Sequence, residues 1–72
     1  MRILITGGCG FVGSNLAIYL KKRLKSSKIS SLDNLFRNGS KVNQNRLKQF
    51  KIGNYKINIQ DYNKISKLPK FD

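Results

Sequence analysis

The chain has 72 residues, with 15 lysines and arginines against three acidic residues and a formal net charge of +12. A chain of this length forms at most one small domain, and a doubly wound α/β sheet usually needs about twice as many residues. Because the cations are spread among polar and apolar residues instead of forming one block, the composition does not predict a nucleic-acid partner.

Cysteine usage and apolar runs bear on the compartment. Cys9 is the only cysteine, so no internal disulfide can form and a reducing cytoplasm is expected. No stretch approaches the roughly 18 apolar residues that a membrane span requires. Glycines also interrupt the apolar start of the chain, so a signal sequence is not expected. The sequence therefore predicts no membrane partner.

A strand followed by a helix is predicted at the start of the chain. Residues 2–6, RILIT, form a short apolar run that ends in glycines, which is typical of a strand buried on both faces of a parallel sheet. From Phe11 the apolar residues recur every four positions, which predicts an amphipathic helix of about four turns with cations at its carboxyl end. The expected buried stripe of this helix is Val12, Leu16, Leu20 and Leu24.

The next elements repeat the alternation of strand and helix. Residues 28–32 predict a second strand, and the order strand, helix, strand implies a right-handed parallel crossover. Residues 36–41 contain the turn pair Asn38-Gly39 and are expected to form a loop, in which Ser40 caps a helix from about Val42 to Phe50.

The last third of the chain predicts shorter elements. Tyr55, Ile57 and Ile59 alternate with polar residues, which indicates a third strand with one polar side. Asp61 is expected to cap a short helix that ends before Pro69. Residues 71–72 read as the start of a further strand, so we expect an amino-terminal fragment of a larger domain.

The glycine-rich segment at residues 7–13, GGCGFVG, carries the strongest functional signal. It satisfies G-x-G-x-x-G through Gly8, Gly10 and Gly13, and G-x-x-G-x-x-G through Gly7, Gly10 and Gly13. In such a turn the first glycine allows a sharp bend, the second lets a diphosphate approach the backbone, and the third lets the helix pack closely on the sheet. The diphosphate then lies at the positive end of the helix dipole, which predicts a dinucleotide site.

Asp33 strengthens this interpretation because it follows the second predicted strand, about 20 residues after Gly13. A carboxylate at that distance reaches the adenosine ribose hydroxyls, and it favours NAD because it repels the 2′-phosphate of NADP. An ordinary turn-forming Asp-Asn pair is the alternative for Asp33 taken alone. Arg37 either pairs with such a phosphate or is a solvated loop cation.

The residues TGGCGFVGSNLA, followed by LDNL, resemble the amino-terminal end of the extended short-chain dehydrogenase/reductases, the NAD-dependent sugar epimerase/dehydratase family. The resemblance implies an α/β fold, the N-terminal βαβ(αβ) part of a Rossmann-type doubly wound parallel sheet. It also implies NAD as the cofactor, which oxidises a sugar carbon transiently. A nucleotide sugar as substrate and a homodimer as assembly are what it implies for the complete protein.

By match to the family motif, ten residues are expected to bind the cofactor. They are Gly7, Gly10, Phe11, Val12 and Gly13 around the diphosphate, Asp33 and Asn34 at the ribose, Arg37 in the adjoining loop, and Asn58 and Ile59 near the adenine. The family usually has Asp-Ile at the last two of these positions. Asn58 departs from that pattern but keeps a hydrogen-bonding oxygen.

Within the family, the segment DNLFRNGSKVNQNRLK is most similar to CDP-paratose 2-epimerases (CDP-tyvelose epimerases), in which Asp-Asn-Leu-x-Arg-x-Gly leads into a helix that carries an asparagine. UDP-glucose 4-epimerases are similar as far as Leu35. An NAD(P)-dependent reductase of the same family with another substrate is a further alternative. A small basic nucleic-acid-binding remnant is the alternative from a different class.

No catalytic residue is predicted among these residues. The family uses a tyrosine with a lysine four positions later, whereas Tyr19, Tyr55 and Tyr62 are followed at that distance by Arg23, Ile59 and Ser66. With no histidine and no cluster of metal ligands, the stretch is not expected to turn over substrate by itself. Cys9 stands at a helix start, which can lower the pKa of a thiol, but a small residue tolerated beside a ligand is the favoured interpretation.

Overall fold

The computed structural model describes every residue from Met1 to Asp72. In chain order the elements are β1 (Arg2–Thr6), α1 (Phe11–Arg23), β2 (Lys28–Leu32), α2 (Ser40–Gln49), β3 (Gly53–Tyr55) and α3 (Tyr62–Ser66). The strands form one parallel sheet in the order β1-β2-β3. This arrangement confirms the predicted fold class, the amino-terminal part of a Rossmann-type sheet.

The register of the sheet brings the carboxyl ends of all three strands to one edge. Thr6 at the end of β1 pairs with Leu32 at the end of β2, and Leu32 pairs with Tyr55 at the end of β3. The segments that follow the strands therefore start side by side, which is where parallel α/β sheets bind ligands.

The core lies between the sheet and one layer of helices. Helices α1 and α2 contact each other and cover the same face of the sheet. The buried apolar cluster between them comprises Ile5, Cys9, Ala17, Ile18, Ile29, Leu47 and Ile52. Because each large aliphatic side chain contributes about 1.5–3 kcal/mol when it is buried, this cluster holds the helices against the strands.

The prediction for the buried face of α1 was wrong. The side chains that α1 buries are Ser14, Ala17 and Ile18, whereas Val12 is 75% exposed and Leu16 is 46% exposed. The physical reason is the contact at Gly13, where even a Cβ atom would overlap the glycine turn, so the face of the helix that carries Gly13 and Ala17 packs inward. Of the expected stripe, Leu20 alone packs against the core. The helix also ends at Arg23, within four turns.

Burial of β1 on both faces was also predicted, and the structure departs from it. Ile5 is buried, but Ile3 and Leu4 are only half-buried. The reason is that the helices cover one face of the sheet and β1 has a single strand neighbour. On its other edge, the Asp72 amide donates to the Arg2 carbonyl oxygen at 2.7 Å, and the Arg2 amide donates to Asp72 Oδ2 at 2.7 Å.

The third strand lies earlier than predicted. β3 covers Gly53–Tyr55, and residues 56–59 are not a strand. The cause is the length of its partner: β2 ends at Leu32, and its last bond in this direction runs from the Asp33 amide to the Tyr55 carbonyl oxygen. Beyond Tyr55 no backbone remains for pairing, and the chain turns through a bond from the Ile57 amide to the Tyr55 carbonyl oxygen.

Two helix caps were predicted, and one of them is present. The Asp61 side chain caps α3 by accepting a hydrogen bond from the Lys64 amide at 3.1 Å. Ser40 does not cap α2: it is the first helical residue, and Gly39 occupies the cap with a φ of 85°. Glycine fits there because side chains disfavour a positive φ. None of the helices is long and apolar enough to cross a membrane.

Candidate functional site

The turn between β1 and α1 starts at Gly7 with a φ of 71°, a conformation that glycine adopts at no steric cost. The Gly7 amide donates to the Leu32 carbonyl oxygen at 2.8 Å, so Gly7 still pairs with β2 and the chain leaves the sheet after Gly7. The Gly10 amide then donates back to the Gly7 carbonyl oxygen at 3.0 Å and closes the turn. We call residues 7–10 the glycine turn.

Two other glycines are required by close packing. A Cβ atom at Gly13 would overlap the Gly7 carbonyl oxygen and lie 2.9 Å from the Gly7 carbonyl carbon. A Cβ atom at Gly8 would overlap the Ser31 hydroxyl beneath it. The backbone of α1 therefore sits directly against the glycine turn, as the third glycine of the motif predicts.

The amino terminus of α1 offers unused hydrogen-bond donors. The amides of Phe11, Val12 and Gly13 donate no hydrogen bond within the chain, because they precede the first helical acceptor. Gly10 occupies the cap position without any side-chain cap, and no acidic residue lies in the first turn. Three amides and the positive end of the helix dipole therefore face outward from the glycine turn, an arrangement that binds anions.

Two adjoining clefts open at this edge of the sheet, and both are bordered by Gly7, Gly10 and Arg37. The first cleft, of about 440 Å³, is lined by Thr6, Gly7, Gly10, Leu32, Asp33, Asn34, Arg37, Ile57, Asn58 and Ile59. The second, of about 450 Å³, is lined by Ile5, Thr6, Gly7, Gly10, Phe11, Val12, Gly13, Leu16 and Arg37. The structure thus brings all ten predicted cofactor residues to one continuous surface.

Asp33 stands between the glycine turn and the loop after β2, and its carboxylate is anchored to both. The Cys9 amide donates to Asp33 Oδ2 at 3.1 Å, and the Leu35 amide donates to Asp33 Oδ1 at 2.8 Å. Each carboxylate oxygen accepts one hydrogen bond and keeps further acceptor capacity. Asp33 therefore forms the turn that was its alternative interpretation, and it still lines the first cleft.

The loop after Asp33 is shaped by these local bonds. The Phe36 amide donates to Asn34 Oδ1 at 3.1 Å, which makes a second side-chain turn directly after the first. Leu35 adopts a φ of 61° between them. The loop carries Arg37 back over the glycine turn, where its exposed side chain borders both clefts without an ion pair.

The far wall of the first cleft is formed by residues 57–59. Asn58 Oδ1 accepts a hydrogen bond from the Gln60 amide at 2.9 Å, which stabilises the turn at residues 58–60. Ile59 is 54% exposed. Ile57 also lines the cleft, although the sequence indicated it only as part of a strand. Thr6 and Leu32, the last residues of their strands, line the cleft as well and were not predicted. Both could have been predicted from their positions at the carboxyl ends of predicted strands.

A network of side-chain hydrogen bonds beneath the clefts was not predicted from the sequence. Ser31 Oγ donates to Asn54 Oδ1 at 2.7 Å, and Asn54 Nδ2 donates to the Asp33 carbonyl oxygen at 3.1 Å. From α2, Asn43 Nδ2 donates to the Cys9 carbonyl oxygen at 2.9 Å. These residues lie 21–34 positions from their partners in sequence, and no motif indicated them.

Burial raises the pKa of the Cys9 thiol, and the nearby Asp33 carboxylate raises it further, while the Ser31 hydroxyl acts in the opposite direction. The side chain is completely buried in the core. The helix start therefore does not activate this thiol. The other interpretation, a small residue tolerated beside a ligand, stays a prediction, and Cys9 itself lines neither cleft.

Proteins similar to this chain are sugar-modifying enzymes. The chain is 37% identical over 71 residues to a CDP-paratose 2-epimerase of Salmonella typhi, which covers 94% of the chain and 20% of the epimerase. It is 68% identical over 34 residues to a dTDP-D-glucose 4,6-dehydratase of Dictyostelium discoideum, which covers 47% of the chain and 8% of the dehydratase. No model of a known protein family matches the chain.

A solved structure agrees with both relatives. The crystal structure of Helicobacter pylori ADP-L-glycero-D-manno-heptose-6-epimerase superposes with a TM-score of 0.74 at 36% identity, over 93% of this chain and 23% of that one. The chain is homologous to the extended short-chain dehydrogenase/reductases. The resemblance seen in the glycine motif is thus confirmed, and the homologues are sugar epimerases and dehydratases.

The extended short-chain dehydrogenase/reductases to which the chain is similar are much longer than it. The chain spans about a fifth of the CDP-paratose 2-epimerase and of the heptose epimerase, and less than a tenth of the dehydratase. The match therefore covers the sheet edge and the two clefts. The roles of the ten cleft residues in binding stay predictions.

Proposed function

We propose that the two clefts bind NAD and that the chain is the N-terminal part of the NAD-binding domain of a nucleotide-sugar epimerase or dehydratase. The observation that carries the proposal is the outward-facing set of free amides of Phe11, Val12 and Gly13, next to a carboxylate at the end of the neighbouring strand. One surface thus offers anion-binding donors beside an acceptor for ribose hydroxyls.

The diphosphate is assigned to the start of α1. Its oxygens would accept hydrogen bonds from the three free amides, and the absence of a Cβ at Gly10 lets them approach the backbone. The dipole of α1 favours this charge by about 0.3–1 kcal/mol for an exposed group. The net charge of +12 also attracts a doubly anionic nucleotide at low salt.

The adenosine is assigned to the first cleft. Asp33 would accept hydrogen bonds from the ribose hydroxyls with its remaining lone pairs, and Asn34 borders the same space. Asn58 and Ile59 on the far wall would contact the adenine, the asparagine by hydrogen bonds and the isoleucine by its exposed apolar surface. Arg37 would cover the diphosphate where the two clefts meet.

When bound, NAD supplies a hydride acceptor. The chain's own residues hold the cofactor and exclude side chains from the diphosphate, and none of its tyrosines has the lysine partner of the family. We therefore place the tyrosine and lysine of the chemistry, together with the sugar site and any homodimer contact, in residues beyond these 72. The buried free thiol of Cys9 suits a reducing compartment such as the cytoplasm.

At the finer level we propose an activity like that of CDP-paratose 2-epimerase. The similarity to that enzyme extends along 94% of the chain and includes the loop that carries Arg37. A UDP-glucose 4-epimerase-like enzyme, or another NAD(P)-dependent reductase of the family, is the alternative. Assays with CDP- and UDP-sugars on the protein that carries this chain distinguish them by which sugar is converted.

Calorimetric titration of the protein with NAD, NADP and ADP tests the cofactor assignment. We expect NAD and ADP to bind, with NAD bound more tightly than NADP because Asp33 repels a 2′-phosphate. A preference for NADP would reassign the cofactor. Binding of DNA or RNA that weakens steeply with salt, without binding of NAD, would instead favour the alternative of a small basic nucleic-acid-binding remnant.

A further inference from the structure

The peptide group between Cys9 and Gly10 directly precedes the free amides of α1, and it is held at both ends. Its N–H, on Gly10, donates to the Gly7 carbonyl oxygen at 3.0 Å. Its carbonyl oxygen, on Cys9, accepts the side-chain amide of Asn43 at 2.9 Å. The Gly7 bond lies inside the glycine turn, whereas the Asn43 bond comes from α2, 34 residues further along the chain.

Asn43 occupies the face of α2 that packs inward. Ser40 and Leu47, one turn away on either side, are buried, and Asn43 itself is half-buried. A second hydrogen bond joins α2 to α1: Arg46 Nη2 donates to Asn15 Oδ1 at 2.7 Å. Helix α2 therefore contacts the glycine turn through the Asn43 side chain and α1 through the Arg46 side chain.

The orientation of this peptide matters for an anion. Asn43 turns the Cys9 carbonyl oxygen toward α2, and Cys9 lines neither cleft. If this bond were lost, only the Gly10–Gly7 bond would hold the peptide, and any rotation of the carbonyl toward the amino terminus of α1 would bring its partial negative charge against a phosphate. The Cys9 amide on the preceding peptide is held by Asp33, so the two side chains together fix the backbone on both sides of Cys9.

We propose that Asn43 is a positioning residue for the diphosphate site, and this proposal rests on the proposed binding of NAD. The amide side chain acts through the Cys9 carbonyl and does not touch the cofactor. It orients the peptide from which α1 begins, and with it the three amides that receive the diphosphate. Such an effect applies to ligands with a diphosphate and leaves adenosine, which lies beyond Asp33, largely unaffected.

Asn43→Asp tests the proposal, because it keeps the shape of the side chain and replaces the donor with an oxygen that repels the Cys9 carbonyl. Asn45→Asp is the matched control: Asn45 lies on the same helix, is exposed and makes no side-chain hydrogen bond, so it introduces the same charge without the contact. Asn43→Ala, which removes the donor without adding charge, covers the case in which the aspartate variant fails to fold.

The readouts are the affinities for NAD, ADP and adenosine, with thermal unfolding as a check on the fold. Asn43→Asp should weaken NAD and ADP by about tenfold relative to Asn45→Asp, the loss expected for one hydrogen bond to a charged group, and Asn43→Ala by a smaller factor. Adenosine affinity should change by less than about twofold in all three variants. NMR should show shifted amide signals for Gly10 and Phe11 only in the Asn43 variants.

Two results would overturn the proposal while leaving NAD binding intact. One is equal NAD affinity in Asn43→Asp and Asn45→Asp, and the other is a parallel loss of NAD and adenosine affinity, which would indicate a general structural role. If the unmodified protein binds neither NAD nor ADP, the proposed function fails and the positioning role fails with it.

Discussion

The glycine turn and residues 57–59 form opposite walls of the first cleft, and they are held in different ways. The glycine turn is fixed by backbone bonds and by side chains from β2 and α2, and its Cys9 is fully buried. On the opposite wall Asn58 and Ile59 are exposed, Ile57 is half-buried, and the hydrogen bonds run only to residues nearby in sequence. In the proposed function, the first wall would bind the cofactor through its backbone and the second through its side chains.

The largest expected effect is that of a methyl group at the glycine turn. In Gly13→Ala the new Cβ overlaps the Gly7 carbonyl, which cannot move without breaking the turn. We expect a loss of about 1–3 kcal/mol in the free energy of unfolding, typical of overpacking, and loss of NAD binding. Chemical denaturation and calorimetric titration measure the two effects.

Gly53→Ala at the start of β3 is the matched control, because nothing lies within 4 Å of its Cβ position. Stability should stay the same or rise by about 0.4–1 kcal/mol. Similar destabilisation by both variants would show that the loss in Gly13→Ala does not come from the close packing of the glycine turn.

Asp33→Asn is expected to have the next largest effect. One carboxylate oxygen becomes an amide NH2 group that faces a backbone N–H, either that of Cys9 or that of Leu35, and this partly buried donor loses its acceptor. The free energy of unfolding should fall by about 1–3 kcal/mol, and NAD affinity should fall with it. In contrast, Asn58→Ala on the exposed wall should change stability by no more than about 0.5 kcal/mol. An Asp33→Asn variant as stable as the unmodified protein would show that the two hydrogen bonds to the Cys9 and Leu35 amides do not stabilise the fold.

Arg37→Ala is expected to act on binding alone. The side chain is exposed and has no partner in the chain, so the free energy of unfolding should change by less than about 0.5 kcal/mol. NAD affinity should fall by a few-fold, more at low than at high salt, since an exposed cation loses its effect through screening. Titrations at two salt concentrations check this. If NADP affinity fell much more than NAD affinity, Arg37 would be assigned to a 2′-phosphate instead of the diphosphate.

The smallest expected effect is at Cys9. Because burial raises the pKa of this thiol, the reactive thiolate is disfavoured, and alkylation at pH 8 should be much slower in the folded protein than in denaturant. Because the folded state disfavours the thiolate, the free energy of unfolding should fall as the pH rises from the ordinary thiol pKa through the raised pKa of the folded state. Cys9→Ala should fold, bind NAD and lose the alkaline component. Equal alkylation rates with and without denaturant would contradict the buried position.

Local patterns were enough to predict the strand, turn and helix at the start of the chain, because each depends on neighbours in sequence. The glycines of the motif encode a sharp bend and a close helix approach, and the short apolar runs encode β1 and β2. The ten candidate residues came from the match to the family motif, and the structure brings them to one sheet edge because parallel strands present their carboxyl ends together.

Burial and pairing were decided by the tertiary structure. Helix α1 buries Ser14, Ala17 and Ile18 because the face that carries Gly13 packs against the glycine turn, and a four-residue leucine period does not reveal this contact. The end of β3 at Tyr55 was set by the length of β2. The contacts of Asn43 with Cys9 and of Asn54 with Asp33 join residues far apart in sequence, so they exist only once the sheet and helices have assembled around the turn.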